Sequence, residues 1–388
     1  MKKILSNISD IIGNKKKSNS EGDVIENAII LSLFYLSKNI TPAGRFVYRN
    51  NINPDKVYSG KQYSSLRHAG TLYSMYQCEK YLNKDALKKK RLLASEYLIK
   101  NYIKKIDFNM YGLVSKPEEE APVFLSTSGG TGLALTALVN LLDEGKISLS
   151  LLRKMGNFLL FMQEDNGDFT PSWEFSTMKK SGIFSARYYP GEACLGLLNL
   201  YEADKDEKWL AAAKKGLFRL AKIASVTPFE LMKFNHWGMI ALQKLFLIEN
   251  NGLTKDERTI LSTYADKNIS FILTKQITDE KNVRYGGFDT TKSLCGVSTI
   301  LEGMLAAYDC VEQSVLKMRI INSVNIALAF IAKYQIKAGE MEGGIPKSHI
   351  WNTLNAKNED KEIRIDYVQH TLSALIMYKN LLNSNAGV

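Results

Sequence analysis

The sequence predicts an all-α protein built from six helical hairpins in a single domain. Three observations support this prediction. Short turns that combine glycine with an aromatic residue recur about every 60 residues, which is the sign of an internal structural repeat. Between the turns, apolar residues follow the helical period. Six pairs of helices would use about 360 of the 388 residues, so there is room for one domain and a short arm.

Five of the repeated turns are clear and the sixth is degenerate. The clear ones are GRFVY at 44–48, MYGLV at 110–114, NGDFTP at 166–171, YGGF at 285–288 and GGIP at 343–346. In the remaining place, near residue 229, stands SVTPFEL at 225–231. The turns therefore divide the chain into six similar units.

Each unit combines an apolar helix with a more charged one. The apolar helices are AGTLYSMYQCEKYL, GTGLALTALVNLLDE, GEACLGLLNLYEA, HWGMIALQKLFLIEN, GVSTILEGMLAAYD and DYVQHTLSALIMYKNLL. Segments such as DEKWLAAAKKGLFRLAKI follow them and keep one charged face. Because a broad apolar face must be buried against another element, we expect an inner layer of apolar helices covered by an outer, wetter layer.

Six hairpins with glycine-rich aromatic turns resemble the (α/α)6 toroids. The segments FMQEDNGDF at 161–169 and KQITDEKNVRYGGF at 275–288 are similar to the turn of that superfamily, where Gln ends a helix and a glycine and an aromatic residue follow. ARYYPGEACLGLLNLYEADKDEKWLAAA also resembles a repeat of the six-hairpin glycosidases and N-acylglucosamine 2-epimerases. The resemblance implies sugar chemistry and leaves the reaction open.

The composition limits the classes of partner that we expect the protein to bind. The net charge of +11 favours an anionic partner such as an acidic carbohydrate. No nucleic-acid-binding motif accompanies the charge, so we expect no nucleic-acid partner. The four cysteines lie far apart without metal-ligand spacing, and STSGGTGLAL lacks the lysine of a phosphate-binding loop. We therefore expect no metal and no cofactor.

We interpret residues 1–24 as an amphipathic basic arm and linker, and residues 25–388 as the toroid. In the arm, Ile4, Leu5, Ile8, Ile11 and Ile12 share one helical face between groups of lysines. Such a helix either packs on the domain or forms, within residues 1–17, a weak anchor to a membrane surface or partner protein. Because no signal-peptide cleavage site follows, we expect a cytoplasmic protein, with the arm as a candidate anchor at the inner face of the membrane.

The candidate site follows from the repeat. In a toroid the N-termini of the six inner helices meet at one end, where free backbone N–H groups and the positive helix ends favour an anionic ligand. Polar and aromatic residues crowd these starts, in SLRHAG, ARYYPGEA, FNHWGM and RIDYVQH. Three of the four histidines in the chain fall in this set.

The catalytic candidates are Glu192, Asp366, His370, His236 and Tyr189. A glycosidase needs two carboxylates, which Glu192 and Asp366 would supply unless they only complement the helix dipole and cap a helix. His236 and His370 suit proton transfer in a sugar epimerisation, or else link neighbouring helices through hydrogen bonds. Glu302 lies a turn deeper, and we expect it to be a buried structural acid.

Two arginines are the predicted anion binders. Arg67 and Arg187 suit bidentate capture of a carboxylate or phosphate, or else form salt bridges with Glu192 or Asp366. The other substrate-binding candidates offer a ring face or a polar group to a sugar: His68, Tyr188, Trp237, Trp173 and Asp289.

These observations predict a carbohydrate-active enzyme that acts on an acidic sugar or an anionic polysaccharide intermediate. Glycoside hydrolysis is the first hypothesis, because it needs a pair of carboxylates. Epimerisation, or elimination from a uronate, is the alternative that uses His and Tyr as acid and base. A third hypothesis is a non-catalytic toroid that binds a glycan or a partner and docks through its N-terminal helix.

Overall fold

A computed structural model describes residues 21–82, 87–119, 121–183 and 188–386 of the chain. The predicted amphipathic helix at residues 1–17 and the predicted anion binder Arg187 lie outside the described residues. The first helix begins at Glu21, which is four residues before the predicted start of the domain at residue 25.

The described residues form twelve α-helices, which alternate along the chain between an outer and an inner layer. The outer helices are α1 (Glu21–Lys38), α3 (Lys88–Tyr102), α5 (Leu149–Met162), α7 (Glu207–Val226), α9 (Lys255–Leu273) and α11 (Ser314–Tyr334). The inner helices are α2 (Ser65–Leu82), α4 (Ser128–Leu138), α6 (Tyr189–Asp204), α8 (His236–Leu247), α10 (Leu294–Ala307) and α12 (Ile365–Ala386). Short 3₁₀ helices lie at Val139–Leu141 and Phe229–Leu231.

The inner helices form a closed ring. Each packs against the next, and α12 packs against α2 to complete the circle. Helix α1 covers α12 and touches α11, so the sixth outer helix comes from the start of the described chain rather than from its end. This architecture is the (α/α)6 toroid, and it confirms the predicted all-α class with six hairpins.

Glycines let the inner helices approach closely. A Cβ atom on Gly196 of α6 would lie 2.5 Å from the carbonyl oxygen of Gly132 on α4. A side chain at this position would therefore push the two helices apart and open the ring. Every residue of α4 is buried, as expected for an apolar helix enclosed on all sides. The glycines of the apolar segments are therefore packing residues.

The predicted Gln, glycine and aromatic turn is a repeated structural device. Gln163 is the C-cap of α5 and Gln276 lies three residues after the last residue of α9, and their Nε2 atoms donate hydrogen bonds to carbonyl oxygens on the next outer helix. Gly167 and Gly286 follow with φ of 89° and 88°, which favours glycine, and each packs against the backbone of that same helix. The turn therefore fastens one hairpin to its neighbour.

Among the described residues, seven short strands lie in the connections that lead from an outer to an inner helix. They are β1 (Arg49–Asn51), β2 (Ile103–Lys105), β3 (Tyr111–Ser115), β4 (Leu125–Thr127), β5 (Ser172–Glu174), β6 (Lys179–Ser181) and β7 (Glu362–Arg364). Strands β2 to β6 form one antiparallel sheet, and β1 pairs with β7 in the register Arg49 to Arg364. The strands surround the end of the ring where the inner helices begin, and this end is called the mouth below.

Among the described residues, one helix is long and apolar enough to cross a membrane by length and composition. It is the outer helix α11, which packs against α10, α9 and α1. Core helices of globular proteins pass the same test, so this finding is weak evidence for a membrane span.

Candidate active site at the mouth of the toroid

The first turns of the inner helices are held by capping side chains. Thr127, Asn235 and Ser293 each accept a hydrogen bond from the backbone N–H three residues later, at the starts of α4, α8 and α10. Helix α6 has Pro190 in its first turn, where a missing N–H costs nothing. Because these caps fix the helix starts, the side chains that follow are presented at the mouth in defined directions.

Six ionisable residues from five inner helices come together at the mouth, and they are called the central cluster. They are Arg67 of α2, Glu192 of α6, His236 of α8, Glu302 of α10, and Asp366 and His370 of α12. Five of the six were predicted as site residues from the sequence. Glu302 was expected to be only structural.

His370 and Glu302 form the tightest pair in the cluster. His370 Nδ1 lies 2.6 Å from Glu302 Oε2, so the ring donates its Nδ1 proton to the carboxylate. Burial lowers the pKa of His370, but the Glu302 carboxylate outweighs burial and raises that pKa above the ordinary value. In the neutral ring, Nε2 then carries the lone pair, as a general base requires.

His236 lies beside this pair. Its ring centroid is 5.5 Å from that of His370, and the two rings meet edge to face. Trp237 and Tyr188 flank them, with centroids 6.1 Å from His370 and 4.7 Å from His236 respectively. The two imidazoles therefore share one aromatic-walled space.

Asp366 is held by two arginines. Arg364 donates two hydrogen bonds to its carboxylate, at 2.6 and 2.7 Å, and Arg67 Nε lies 3.0 Å from Oδ2. Burial raises the pKa of Asp366, but the two guanidinium groups outweigh burial and lower that pKa below the usual value. Arg67 also donates to Tyr48 Oη at 2.6 Å. Asp366 is therefore an ionised group that positions arginines.

Glu192 has the opposite character. It is 5% exposed, and burial raises its pKa to about 8, while His370 and Arg67 only partly offset this effect. Its carboxyl group lies against Gly129 on α4, where an added Cβ would come within 2.1 Å of Oε2. Glu192 is therefore a carboxylic acid that keeps its proton at neutral pH and can donate it.

His68 follows Arg67 in the chain but faces the outer layer. Its Nε2 donates to the carbonyl oxygen of Ala94 on α3 at 2.9 Å, and its Nδ1 accepts from Tyr63 Oη at 2.6 Å. Burial lowers the pKa of His68 to about 3, so the ring stays neutral. The structure does not bring this predicted substrate-binding residue to the central cluster.

Of three other predicted residues, one borders the cluster and two lie apart from it. Tyr189 packs beside the Glu192 carboxylate against Gly129 of α4, and it also lines a cavity of about 360 Å³ between α7 and α9, together with Asn235. Trp173 of β5 packs edge to face on Phe161, with ring centroids 5.4 Å apart. Asp289 is exposed in the turn after α9. Within the described residues, neither Trp173 nor Asp289 contacts the cluster.

Two residues of the site were not predicted. Arg364 lies on β7 two residues before Asp366, and Tyr48 lies in the turn GRFVY. The signal for Arg364 was the sequence RID at the start of an inner helix, which places a guanidinium beside a carboxylate. Nothing in the sequence points to Tyr48, because the turns were interpreted as structural.

The cluster also contains a set of atoms that could hold a metal ion. Among the described residues, His236, Glu302 and His370 offer one ligand atom each, all within 4.8 Å of one another. Imidazole and carboxylate together suit a divalent transition metal. The prediction of a metal-free protein therefore stays a prediction.

Several solved structures share the fold of this chain. No protein-family model and no curated protein sequence matches the chain. Among solved structures, a D-mannose isomerase is similar with TM-score 0.63 and 13% identity, over 93% of this chain and 98% of that one. A cellobiose 2-epimerase from Bacillus thermoamylovorans has TM-score 0.65 and 12% identity, over 92% and 98%.

A third similar structure is a glycosidase. The α-1,6-mannanase of Salegentibacter, solved as an inactive variant with α-1,6-mannotriose, has TM-score 0.61 and 11% identity, over 93% of this chain and 99% of that one. The similarity extends over nearly the whole length of all three proteins. At these identities the comparison establishes the toroid fold.

Proposed function

We propose that the protein is an enzyme that moves a proton on the carbon next to a sugar carbonyl, as a sugar 2-epimerase or an aldose–ketose isomerase. The observation that carries the proposal is the pair of imidazoles, His236 and His370, with ring centroids 5.5 Å apart at the mouth. Two solved structures that share the fold are an isomerase and a 2-epimerase.

The proton transfer can be written for these residues. Neutral His370 accepts the proton from C2 at Nε2, and the C–H electron pair forms the double bond of an enediolate. Glu192, protonated because of its pKa of about 8, donates a hydrogen bond to the oxygen that gains negative charge. Return of a proton to C2 on the opposite face, from His236 in its protonated form, gives the epimer. Return of the proton to C1, with transfer of the O2 proton to O1, gives the ketose.

The experiment is product analysis with a panel of reducing sugars. Glucose, mannose, N-acetylglucosamine, glucuronate, cellobiose and α-1,6-mannobiose are incubated with the parent, with His370→Gln and with His349→Gln, and products are separated by chromatography. The fourth histidine, His349, packs on Phe330 and Tyr334 and is the matched control. We expect epimer or ketose from the parent and the control only. Equal conversion by His370→Gln would contradict the proposal.

Glycoside hydrolysis is the second candidate, and one observation favours it. The pKa of Glu192 is raised and that of Asp366 is lowered, which is the split expected of a general acid and an ionised partner. It is the weaker candidate because three arginine contacts occupy Asp366. Release of new reducing ends from an oligosaccharide, abolished in both Glu192→Gln and Asp366→Asn, would favour hydrolysis over epimerisation.

We further propose that the sugar carries an acidic group. Arg67 and Arg364 both contact the carboxylate of Asp366 at the mouth, and a guanidinium group in that position can also pair with a substrate anion. An acidic sugar should lose about tenfold in affinity in Arg67→Gln, and the corresponding neutral sugar should lose much less. An equal loss for both sugars would contradict this part of the proposal.

The N-terminal arm is a separate proposal. The amphipathic pattern of residues 1–17 suits weak docking to an anionic membrane surface or to a partner, and a cytoplasmic location is part of this expectation. Deletion of residues 1–17 should abolish cosedimentation with anionic vesicles and leave turnover in solution unchanged. Loss of turnover would instead indicate that the arm packs on the toroid.

A further inference from the structure

A second cavity lies at the mouth, where the first outer-to-inner connection meets the last. It has a volume of about 590 Å³ and is lined by residues from 47–58 and from 336–351. These connections flank the ribbon of β1 and β7, so we call the cavity the seam pocket. The lining residues that matter below are Arg49, Asn50, Lys56, Tyr58, Glu340 and Trp351.

We propose that the seam pocket binds a neutral saccharide unit of an oligosaccharide whose reacting unit occupies the central cluster. Its assignment to the same substrate rests on the proposed function, whereas binding of a saccharide in the pocket does not. The arguments are the aromatic walls, the polar groups, the charge balance and the connection to the cluster.

Two half-buried aromatic rings, Tyr58 and Trp351, form part of the wall. Tyr58 is held in place because its hydroxyl accepts a hydrogen bond from Asn51 Nδ2 at 3.1 Å, and the Arg49 guanidinium lies 5.6 Å from its ring centroid. Ring faces pack against the C–H faces of sugars, and a ring that is already fixed loses little entropy on binding.

Polar groups accompany the rings. Asn50 donates from Nδ2 to Tyr35 Oη and to Asn39 Oδ1, both at 2.9 Å, which fixes the amide. Within the described residues, the buried Nε1 atom of Trp351 has no hydrogen-bond partner. A fixed amide and an unpartnered donor beside aromatic rings suit the hydroxyl groups of a sugar.

The positive and negative side chains in and beside the seam pocket are equal in number. Arg49 faces Glu362 at 3.6 Å, and exposed Lys56 is matched by exposed Glu340 on the opposite connection. A pocket with no excess charge gives no advantage to an anion over a neutral ligand. We therefore assign the seam pocket a neutral unit.

The pocket and the cluster share one short segment of chain. Tyr48 accepts a hydrogen bond from Arg67 of the cluster, and the next residue, Arg49, lines the seam pocket. Arg49 is also paired in register with Arg364, which holds Asp366. The two sites are therefore neighbours along the chain, and we assign one unit of the oligosaccharide to each.

The test compares binding of short and long probes. Calorimetry measures the affinities of mannose, α-1,6-mannotriose, glucose and cellotriose for the parent and for Trp351→Ala. We expect at least one trisaccharide to bind about tenfold more tightly than its monosaccharide. In Trp351→Ala that trisaccharide should lose most of the gain, whereas monosaccharide affinity stays unchanged.

Three further variants make the test decisive. Trp351→Phe keeps a ring and should retain most of the trisaccharide affinity, and Trp351→Leu replaces the alanine variant if that one does not fold. Leu354→Ala is the control, because Leu354 is fully exposed in the same connection. Equal trisaccharide affinity in parent and Trp351→Leu overturns the proposal, and so does a trisaccharide gain in neither series. Because binding is measured without turnover, these outcomes do not depend on the proposed reaction.

Discussion

Two histidines on neighbouring inner helices have opposite surroundings. His68 of α2 and His370 of α12 both lie in the first two turns of their helices, and both are largely buried. His68 faces the outer layer and bonds to a hydroxyl and a backbone carbonyl, whereas His370 faces the centre and bonds to the Glu302 carboxylate. Burial lowers the pKa of the first to about 3, and the carboxylate raises the pKa of the second.

The hydrogen-bond partner, and not the position in the helix, decides what a buried histidine does. Neutral partners offset desolvation only in part, so His68 stays neutral and cross-links two layers. A buried carboxylate outweighs desolvation, so the pKa of His370 lies above its ordinary value.

The largest effect is expected for His370→Gln. Loss of the base should lower the rate of sugar conversion by about 10³-fold, the usual range for a general base, whereas cooperative thermal unfolding should show that the variant is still folded. The rate and the thermal unfolding curve are measured on the same preparation. The same loss of rate in the control His349→Gln would remove His370 from its assigned role.

The next effect is expected for Glu302→Gln, which keeps an acceptor for Nδ1 and removes the charge. Without the carboxylate, the pKa of His370 should fall, because Glu302 is what raises it. The reaction needs the neutral ring, so the acidic limb of the kcat/KM profile should move to lower pH, and the rate should fall about tenfold. A pH profile with an unmoved acidic limb would separate Glu302 from the chemistry.

His68→Gln should affect stability instead of turnover, by about 2 kcal/mol, because a buried group that makes two hydrogen bonds is replaced. The folded-state pKa of about 3 lies below the ordinary 6.5, so the unfolded chain binds the extra proton and parent stability falls as pH drops from about 6.5 to 3. Urea unfolding at several pH values should give a flatter dependence for the variant.

The contribution of His370 to stability should have the opposite pH dependence. His370 has a raised pKa in the folded state, so its contribution is present below its ordinary pKa and is lost as pH rises through the folded value. The His370→Gln variant should therefore change the stability profile on the alkaline side, and His68→Gln on the acidic side. Identical profiles would show that the two environments do not differ.

Tyr63→Phe should lower stability by about as much as His68→Gln and should leave turnover unchanged. This change removes the hydroxyl that donates to His68 Nδ1 and accepts from the Phe46 N–H, at 2.6 and 3.2 Å. The two lost hydrogen bonds together cost about 2 kcal/mol, and the ring itself stays packed. Urea unfolding should detect the loss, and sugar conversion per folded molecule should equal that of the parent. A fall in kcat would instead connect this region to the site.

Most of the fold could be predicted from the sequence because the repeat is local. The glycine with positive φ at 167 and 286 and the Gln before it mark each turn within a few residues of chain. That α1 covers α12 could not be predicted in the same way, since it pairs the two ends of the domain and depends on closure of the ring.

The site was predicted less completely, and the reason is helical rotation. Arg67 and His68 are adjacent, so their side chains leave α2 about 100° apart, and only one of them can face the centre. A sequence shows that both are at the helix start but does not give the rotation of the helix in the ring. The role of Glu302 in the site was missed for a related reason. Its contact with His370 joins α10 to α12, and the sequence does not show which side chains of two separate helices meet.

Solvent deuterium incorporation into the converted sugar, followed by proton NMR in D₂O, tests the proton transfer directly. For the parent and for His349→Gln we predict one deuteron in the product, at C2 of an epimer or at C1 of a ketose, and for His370→Gln none above background. A parent that converts the sugar without deuterium at either carbon, or a His370→Gln variant that incorporates it at the parental rate, would contradict the assignment of proton transfer to this histidine.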